Sequence, residues 1–378
     1  MRAYRQVCHN NTNQNIHLSI FLSGGIMTVH QLINTDSCDL SFIKDGSIDL
    51  IVTSPPYPMI SMWDELFINE DQSIRDDLEK GDGLAAFDKM HTVLNKIWSE
   101  CNRVLKDNGF VCINTGDATR SAGGIFQLFP NHVKITNYFL SHGYLCLPDI
   151  IWRKPSNSPT KFMGSGMYPA GAYVTYEHEH ILIFKKNTHG CKRVFSQDEK
   201  QKRARSAYFW EERNLWFSDL WTINGTSQQI QGFAGRKRNA SFPFEIPYRL
   251  INMYSIEGDT VLDPFCGLGT TNLACIVSGR NSIGVDKDSS ITELARERLN
   301  VPIEVLNNAV IKRLDDHLNF LSSCGKDKDK MYSNPHLGCK VITKQETEIV
   351  FQYIEKMLYT DNGKLYCEYS DIYPSHHI

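Results

Sequence analysis

Ser47 to Thr53 (SIDLIVT) is a short apolar, β-branched run that the double proline Pro55-Pro56 ends at once. This pattern predicts a buried strand running into a stiff loop, because proline restricts the residue before it to extended backbone. Apolar residues then recur at helical spacing (Phe87, Met90, Leu94, Ile97, Trp98, Cys101, Leu105) until Asp107-Asn108-Gly109 stops the pattern. A strand is predicted over Phe110 to Asn114 and a helix over Ile135 to His142, closed by Gly143. Strands follow over Tyr144 to Trp152 and Thr175 to Phe184. From Thr260 the order is a strand (TVLD), a glycine-rich turn, a helix over about Thr270 to Ser278 and another strand (NSIGVD). Strands alternating with helices imply an α/β fold with a doubly wound, mostly parallel sheet.

Composition narrows the class. Hydrophobic residues make up 41% and charged residues 22%, a globular balance that excludes wholesale disorder. No apolar run approaches the ~18 residues of a membrane span, so no membrane partner is expected. The 378-residue chain carries a net charge of -3, so any nucleic-acid surface is a local patch. Lys185 to Ala240 is the candidate, with 12 Lys and Arg against 5 Asp and Glu, eight aromatics and three of the six tryptophans. Basic residues interleaved with aromatics suit phosphate neutralisation and base stacking; a small aromatic core under a solvated charged face fits the composition equally well. The eleven cysteines include no C-x-x-C pair and read as reduced thiols in a cytoplasmic protein. Residues 1–26 are interrupted by the polar block His9 to Asn15 and lack a signal-peptide cleavage pattern. They are expected to be a dispensable or disordered extension.

Two loops carry the candidate chemistry. DPFCGLGTT (Asp263 to Thr271) lies between a strand and a helix, where glycines let backbone approach a ligand. Asp286 ends the next strand, where a carboxylate can accept both hydroxyls of a ribose. Asn272 stands where a third glycine would fall, which disfavours a pyrophosphate site and weakens a nicotinamide-dependent oxidoreductase reading. The second loop is Ser54-Pro55-Pro56-Tyr57. Its carbonyls and the Ser54 hydroxyl can accept hydrogen bonds from a planar amino group, and Tyr57 offers a π-face for the attached ring. Both loops leave the carboxyl ends of predicted strands, where ligands bind in open parallel sheets.

These residues resemble the β group of DNA amino-methyltransferases, the N-4/N-6 DNA methylase family. SIDLIVTSPPY is similar to the catalytic motif, and FPFEIPYRLI followed by DPFCGLGTT to the cofactor half. The resemblance covers roughly residues 30 to 300. It implies a methyltransferase-type sheet with an inserted target-recognition region: 27–184 as the catalytic half, 185–240 as the insertion and 241–300 as the cofactor half. Residues 301–378 carry no readable motif. By matching position, Asp263, Phe265, Gly267 and Gly269 would line the methionine part of S-adenosyl-L-methionine. Asp286 would bind its ribose and Asp36 its adenine edge, with Phe244, Glu245 and Pro247 in a further cofactor motif. Ser54, Pro55, Pro56 and Tyr57 would hold the target base. Trp152 and Lys154 resemble a motif near the flipped base, and Arg236, Lys237 and Arg238 form the densest basic cluster for DNA phosphates.

Serine at the head of the tetrapeptide is the form typical of cytosine-N4 enzymes, whereas adenine-N6 enzymes more often carry Asp or Asn. Cytosine C5 chemistry would need a Pro-Cys dipeptide, and no cysteine follows a proline. The implied activity is methylation of cytosine N4 in double-stranded DNA, as the modification enzyme of a restriction-modification system with a cognate endonuclease. Adenine-N6 methylation and a catalytically silent nucleic-acid-binding module are the rivals. Either a monomer or a homodimer fits. His178 and His180 share one face of a strand, but no further ligands follow from sequence, and no metal is expected.

Overall fold

A computed structural model describes residues 26–155, 164–187, 190, 193–225 and 242–371. Its strands are β1 (Ile26–Asn34), β2 (Ile48–Thr53), β3 (Leu105–Thr115), β4 (Ala118–Ala122), β5 (Ile125–Phe129), β6 (Tyr144–Cys146), β7 (Ile150–Arg153) and β8 (His178–Lys186). They continue with β9 (Leu220–Thr222), β10 (Thr260–Asp263), β11 (Asn281–Asp286), β12 (Tyr332–Asn334), β13 (Cys339–Val341), β14 (Tyr353–Tyr359) and β15 (Lys364–Ser370). Eleven form one sheet in the order β14-β15-β1-β11-β10-β2-β3-β8-β7-β9, with β6 also on β8. The five central strands, β1-β11-β10-β2-β3, are mutually parallel. Antiparallel pairing surrounds them, through β15 on one side and β8 on the other.

Every residue of β2 is buried because helices cover both faces of the sheet there. Alternation along β2 feeds two cores. Leu50 and Val52 pack with Ile246, Leu250, Leu273 and Ile276. Ile51 packs on the other side with Met90, Leu94 and Trp98. The helix Gly83–Val104 supplies that second layer, and the Asp82 carboxylate caps it by accepting from the Ala85 amide.

The Asp-Asn-Gly segment does not separate helix from strand. β3 starts directly at Leu105, and Asn108, at φ +64°, lies where the β2–β3 register shifts. Gly109 is needed there, since an added Cβ would lie 2.9 Å from the Asp49 carbonyl oxygen. The single strand expected over Tyr144 to Trp152 is two, β6 and β7, interrupted around Pro148, which has no amide hydrogen to donate.

The basic, aromatic segment joins the main body. β9 pairs parallel with β7, and Phe209, Trp216 and Trp221 are buried, Phe209 and Trp221 in the same core as Leu50. Residues beyond 300 also complete the sheet. The helix Ile303–Ser323 contributes Leu306 and Val310 to that core, and β15 runs antiparallel to β1 from Ile26↔Tyr369 to Gln31↔Lys364.

Candidate active site

The two loops singled out in the sequence emerge from neighbouring strands. β10 pairs with β2 at Val261↔Leu50 and Leu262↔Ile51, so residues more than 200 positions apart share one sheet edge. The Asp263 carboxylate joins them. It accepts from the Thr53 hydroxyl at 2.6 Å and the Thr271 hydroxyl at 2.6 Å, with the Phe265 amide at 3.1 Å. Burial pushes its pKa up to about 6, against the opposing effect of these donors. Asp263 therefore braces β2 against the glycine loop, and its side-chain oxygens are already occupied by protein donors.

In the Ser54–Tyr57 loop, Ser54 Oγ and Tyr57 OH lie 2.9 Å apart. Tyr57 OH donates to Glu179 Oε2 at 3.0 Å. Asn114 Nδ2 donates to Tyr57 OH at 2.8 Å, to Glu179 Oε2 at 2.6 Å and, more weakly, to Ser54 Oγ at 3.4 Å. Lys154 forms a salt bridge with the other oxygen of Glu179 and stands 4.5 Å from the centre of the Trp152 ring. Burial, followed by the nearby Glu179 charge, raises the Tyr57 hydroxyl well above its ordinary pKa, so it stays protonated. A Cβ on Gly116 would come within 3.0 Å of the Tyr57 ring, so that glycine gives the ring its seat. Behind the loop, Asn131 Nδ2 donates to the carbonyls of Pro58 and Gly116.

Asn114 and Glu179 were not among the residues expected from sequence. Each leaves a signal: a polar residue ending the apolar run FVCIN, and an acid opening the apolar run HILIF. Their meeting depends on β3–β8 pairing, where Asn114 faces Ile181 and Thr115 faces His180.

In the glycine loop, Gly267 and Gly269 adopt φ of +50° and +72°, backbone that side chains rarely tolerate. The Gly267 amide donates to Asp286 Oδ2 at 3.1 Å. β1 and β11 are in register at Asn34↔Asp286, so Asp36 and Asp286 rise from adjacent strand ends. Both are partly accessible. Asn272 donates to Ser282 Oγ at 2.9 Å and stitches helix to sheet rather than opening a phosphate turn. Phe244 stacks on Tyr248 at the start of the helix Glu245–Tyr254, where Pro247 is buried and Glu245 pairs with Arg249. An added Cβ at Gly267 would meet no heavy atom closer than 4.0 Å, so the loop has room beside it for a ligand. Two accessible carboxylates and this space suit a nucleoside bearing a positive charge.

Trp152 does not reach a DNA-facing surface. Its indole is 2% exposed and donates to the Ile223 carbonyl at 2.9 Å, so it acts in the core and as a platform for Lys154. Arg236, Lys237 and Arg238 lie outside the described residues. His180 does meet further potential ligands, Asp117 and His132. The two imidazoles stack with centroids 4.1 Å apart and planes 18° from parallel. Their in-plane lone pairs therefore do not converge on one point, and each ring is hydrogen-bonded to its own carboxylate, His132 to Asp117 and His180 to Asp149. Among the described residues, no helix is long and apolar enough to cross a membrane.

Comparison with known proteins agrees with this geometry. A family model described as DNA methylase, of the N6/N4 methyltransferase type, matches residues 48–297. The chain is 46% identical to Type II methyltransferase M.MthZI of Methanothermobacter thermautotrophicus over 349 residues, 92% of this chain and 97% of that relative. It is 47% identical to Type II methyltransferase M.MjaI of Methanocaldococcus jannaschii over 291 residues, 74% of this chain and 94% of that relative. Among solved structures, a putative DNA modification methylase from Thermus thermophilus, in complex with S-adenosyl-L-methionine, superposes with a TM-score of 0.55 at 28% identity, covering 71% of this chain and 92% of that one. With its two motif loops held side by side by Asp263, the chain belongs to the N6/N4 DNA methylase family, whose members transfer methyl from S-adenosylmethionine to DNA.

Proposed function

We propose that the protein methylates the exocyclic N4 of a cytosine flipped out of duplex DNA, at a defined sequence, as the modification enzyme of a restriction-modification system. The observation that supports the base assignment is the group at the tip of the catalytic loop. Ser54 presents a neutral hydroxyl, while formal charge is held back on Glu179 behind Tyr57. A neutral acceptor suits the weakly basic amine of cytosine.

Base flipping costs a few kcal/mol and exposes the amine to the loop. Ser54 and the Pro55 carbonyl hold the amine, Pro56 keeps the loop stiff, and the Tyr57 ring stacks on the base. Bound S-adenosylmethionine supplies a sulfonium-activated methyl group. On its side of the site, Asp286 would hold the ribose and Asp36 the adenine edge, while Phe265, Gly267 and Gly269 would border the methionine part. Phe244, Glu245 and Pro247 would belong to a further cofactor motif. Lys154, paired with Glu179, lies near the flipped base, and the cluster Arg236, Lys237 and Arg238 meets DNA phosphates. The residues contribute chiefly positioning, which suffices for direct displacement.

Sequencing DNA from cells expressing the protein, by a method that reports both modified bases in context, tests this reading. N4-methylcytosine at one recurring sequence is the expected outcome. N6-methyladenine in its place would move the assignment to the adenine enzymes, and unmodified DNA would remove it.

A further inference from the structure

We infer that Glu179 is a positioning residue for methyl transfer: through Tyr57 it fixes Ser54 as a hydrogen-bond acceptor and receives the proton that the methylated amine must lose. The inference rests on the proposed amine chemistry and extends it to a residue outside both motif loops.

The direction of each hydrogen bond follows from what its partners can do. An ionised carboxylate only accepts, and an amide NH2 only donates. Asn114 Nδ2 lies 2.6 Å from Glu179 Oε2, which fixes the orientation of its amide, since the opposite flip would set oxygen against oxygen. Tyr57 OH accepts from Asn114 Nδ2 at 2.8 Å and has a single hydrogen, which it gives to Glu179 at 3.0 Å. The contact of 2.9 Å between Tyr57 OH and Ser54 Oγ therefore has Ser54 as its donor. With its hydrogen directed inward, Ser54 offers lone pairs to the target. It accepts N–H from an exocyclic amine and opposes a carbonyl oxygen at the same position, so the set favours the amino face of cytosine over the O4 face of thymine.

The set is built rather than incidental. Glu179 is 13% exposed, and Lys154 balances its charge. Asn114 is buried and directs Nδ2 at three oxygens, while its Oδ1 has no partner among the described residues. An orphaned buried acceptor is a cost of order 1–3 kcal/mol, the kind tolerated where geometry serves chemistry.

During transfer, the N4 lone pair forms the new N–CH3 bond while the S–CH3 bond breaks. The electron pair of the broken bond stays on sulfur, turning the sulfonium into a neutral thioether. The amine, now bearing positive charge, passes one proton to Ser54 Oγ. Ser54 passes its own to Tyr57, and Tyr57 passes its own to Glu179, which becomes a neutral acid. Glu179 returns the proton to water at its accessible edge once product leaves. Charge and atoms balance without any further reactant.

The test measures tritiated methyl transfer to unmodified genomic DNA against S-adenosylmethionine concentration for the full-length protein, Glu179→Gln, Tyr57→Phe and the double variant. In Glu179→Gln and Tyr57→Phe, kcat is expected to fall about 100-fold or more, the range of general acid–base effects, with KM for S-adenosylmethionine within about threefold. The double variant should be no slower than the slower single one. A Glu179→Gln enzyme with wild-type kcat would overturn the relay, as would multiplicative losses in the double variant. If Glu179→Gln fails to bind cofactor, Tyr57→Phe, which keeps the ring, decides alone: full activity there refutes the relay. An inactive wild-type protein would instead refute the methyltransferase reading on which the relay rests.

Discussion

Asp263 concentrates the tension of the site in one side chain. It is 3% exposed, yet it must hold the Thr53 hydroxyl on one strand and the Thr271 hydroxyl on the next helix. Its folded pKa of about 6 exceeds the ~3.9 of an unfolded Asp, so the folded state binds the proton more tightly. The sign follows: stability falls as pH rises from about 4 to about 6 and is level above, by up to about 3 kcal/mol for a shift of about two units. Asp263→Asn keeps the acceptor for Thr53 and removes the charge. Thermal unfolding across this range should show the variant matching wild type near pH 4 and exceeding it at pH 7. Parallel curves would mean that Asp263 carries no such burden. The residue pattern itself was readable, since Asp263 and Asp286 stand at the strand ends where sequence put them. Glu179 was not, because its role arises from a strand pairing with Asn114 across 65 residues. Trp152, matched by resemblance to a motif near the flipped base, has its ring in the core at the end of β7, which the local sequence does not reveal.

At the scale of elements, His317 is one of the side chains, with Asn307 and Arg313, that fasten the helix Ile303–Ser323. His317 lies in a parallel stack on Phe209 at 3.7 Å, with Glu211 at 2.6 Å from Nδ1 and the Lys340 carbonyl at 2.8 Å from Nε2. Burial opposes its charge, but hydrogen bonding to Cys339, Glu211 and Lys340 prevails and lifts its pKa from 6.5 to about 10. A raised folded value means that this stabilisation is complete below pH 6.5 and is lost as pH rises towards 10. Urea midpoints taken from pH 6.5 to 10 should decline in wild type and more shallowly in His317→Gln. Equal slopes would deny His317 this function. Elements with strong periodicity or sharp punctuation were legible: the predicted TVLD strand, the helix over Thr270 to Ser278 and the NSIGVD strand coincide with β10, Thr270–Ser278 and β11. The boundary at Asp107 to Gly109 was misjudged because turn-forming residues also build bulges, and a bulge needs its partner strand to be recognised.

For the molecule as a whole, the chain end completes the sheet that its beginning opens. β1 would be an open edge without β15, and Leu365, Cys367 and Tyr369 are buried in the shared core. A fragment ending at residue 300 is therefore expected to aggregate, as judged by the soluble fraction on expression. A soluble, cofactor-binding fragment would show that the region is dispensable. The family relation was legible from two motifs, but the role of this final region was not. Its contribution is a strand pairing to residues more than 330 positions earlier, and no local pattern encodes a partner at that distance.

On the proposed function, the apposed loops carry a methyl group from sulfur to the N4 nitrogen of cytosine. DNA labelled with 15N at the cytosine amine, treated with the protein and 13C-methyl S-adenosylmethionine, reports that bond directly by NMR. The expected product shows a methyl carbon split by one-bond coupling to 15N. A methyl signal without that coupling, on adenine or on ring carbon, would contradict the claim.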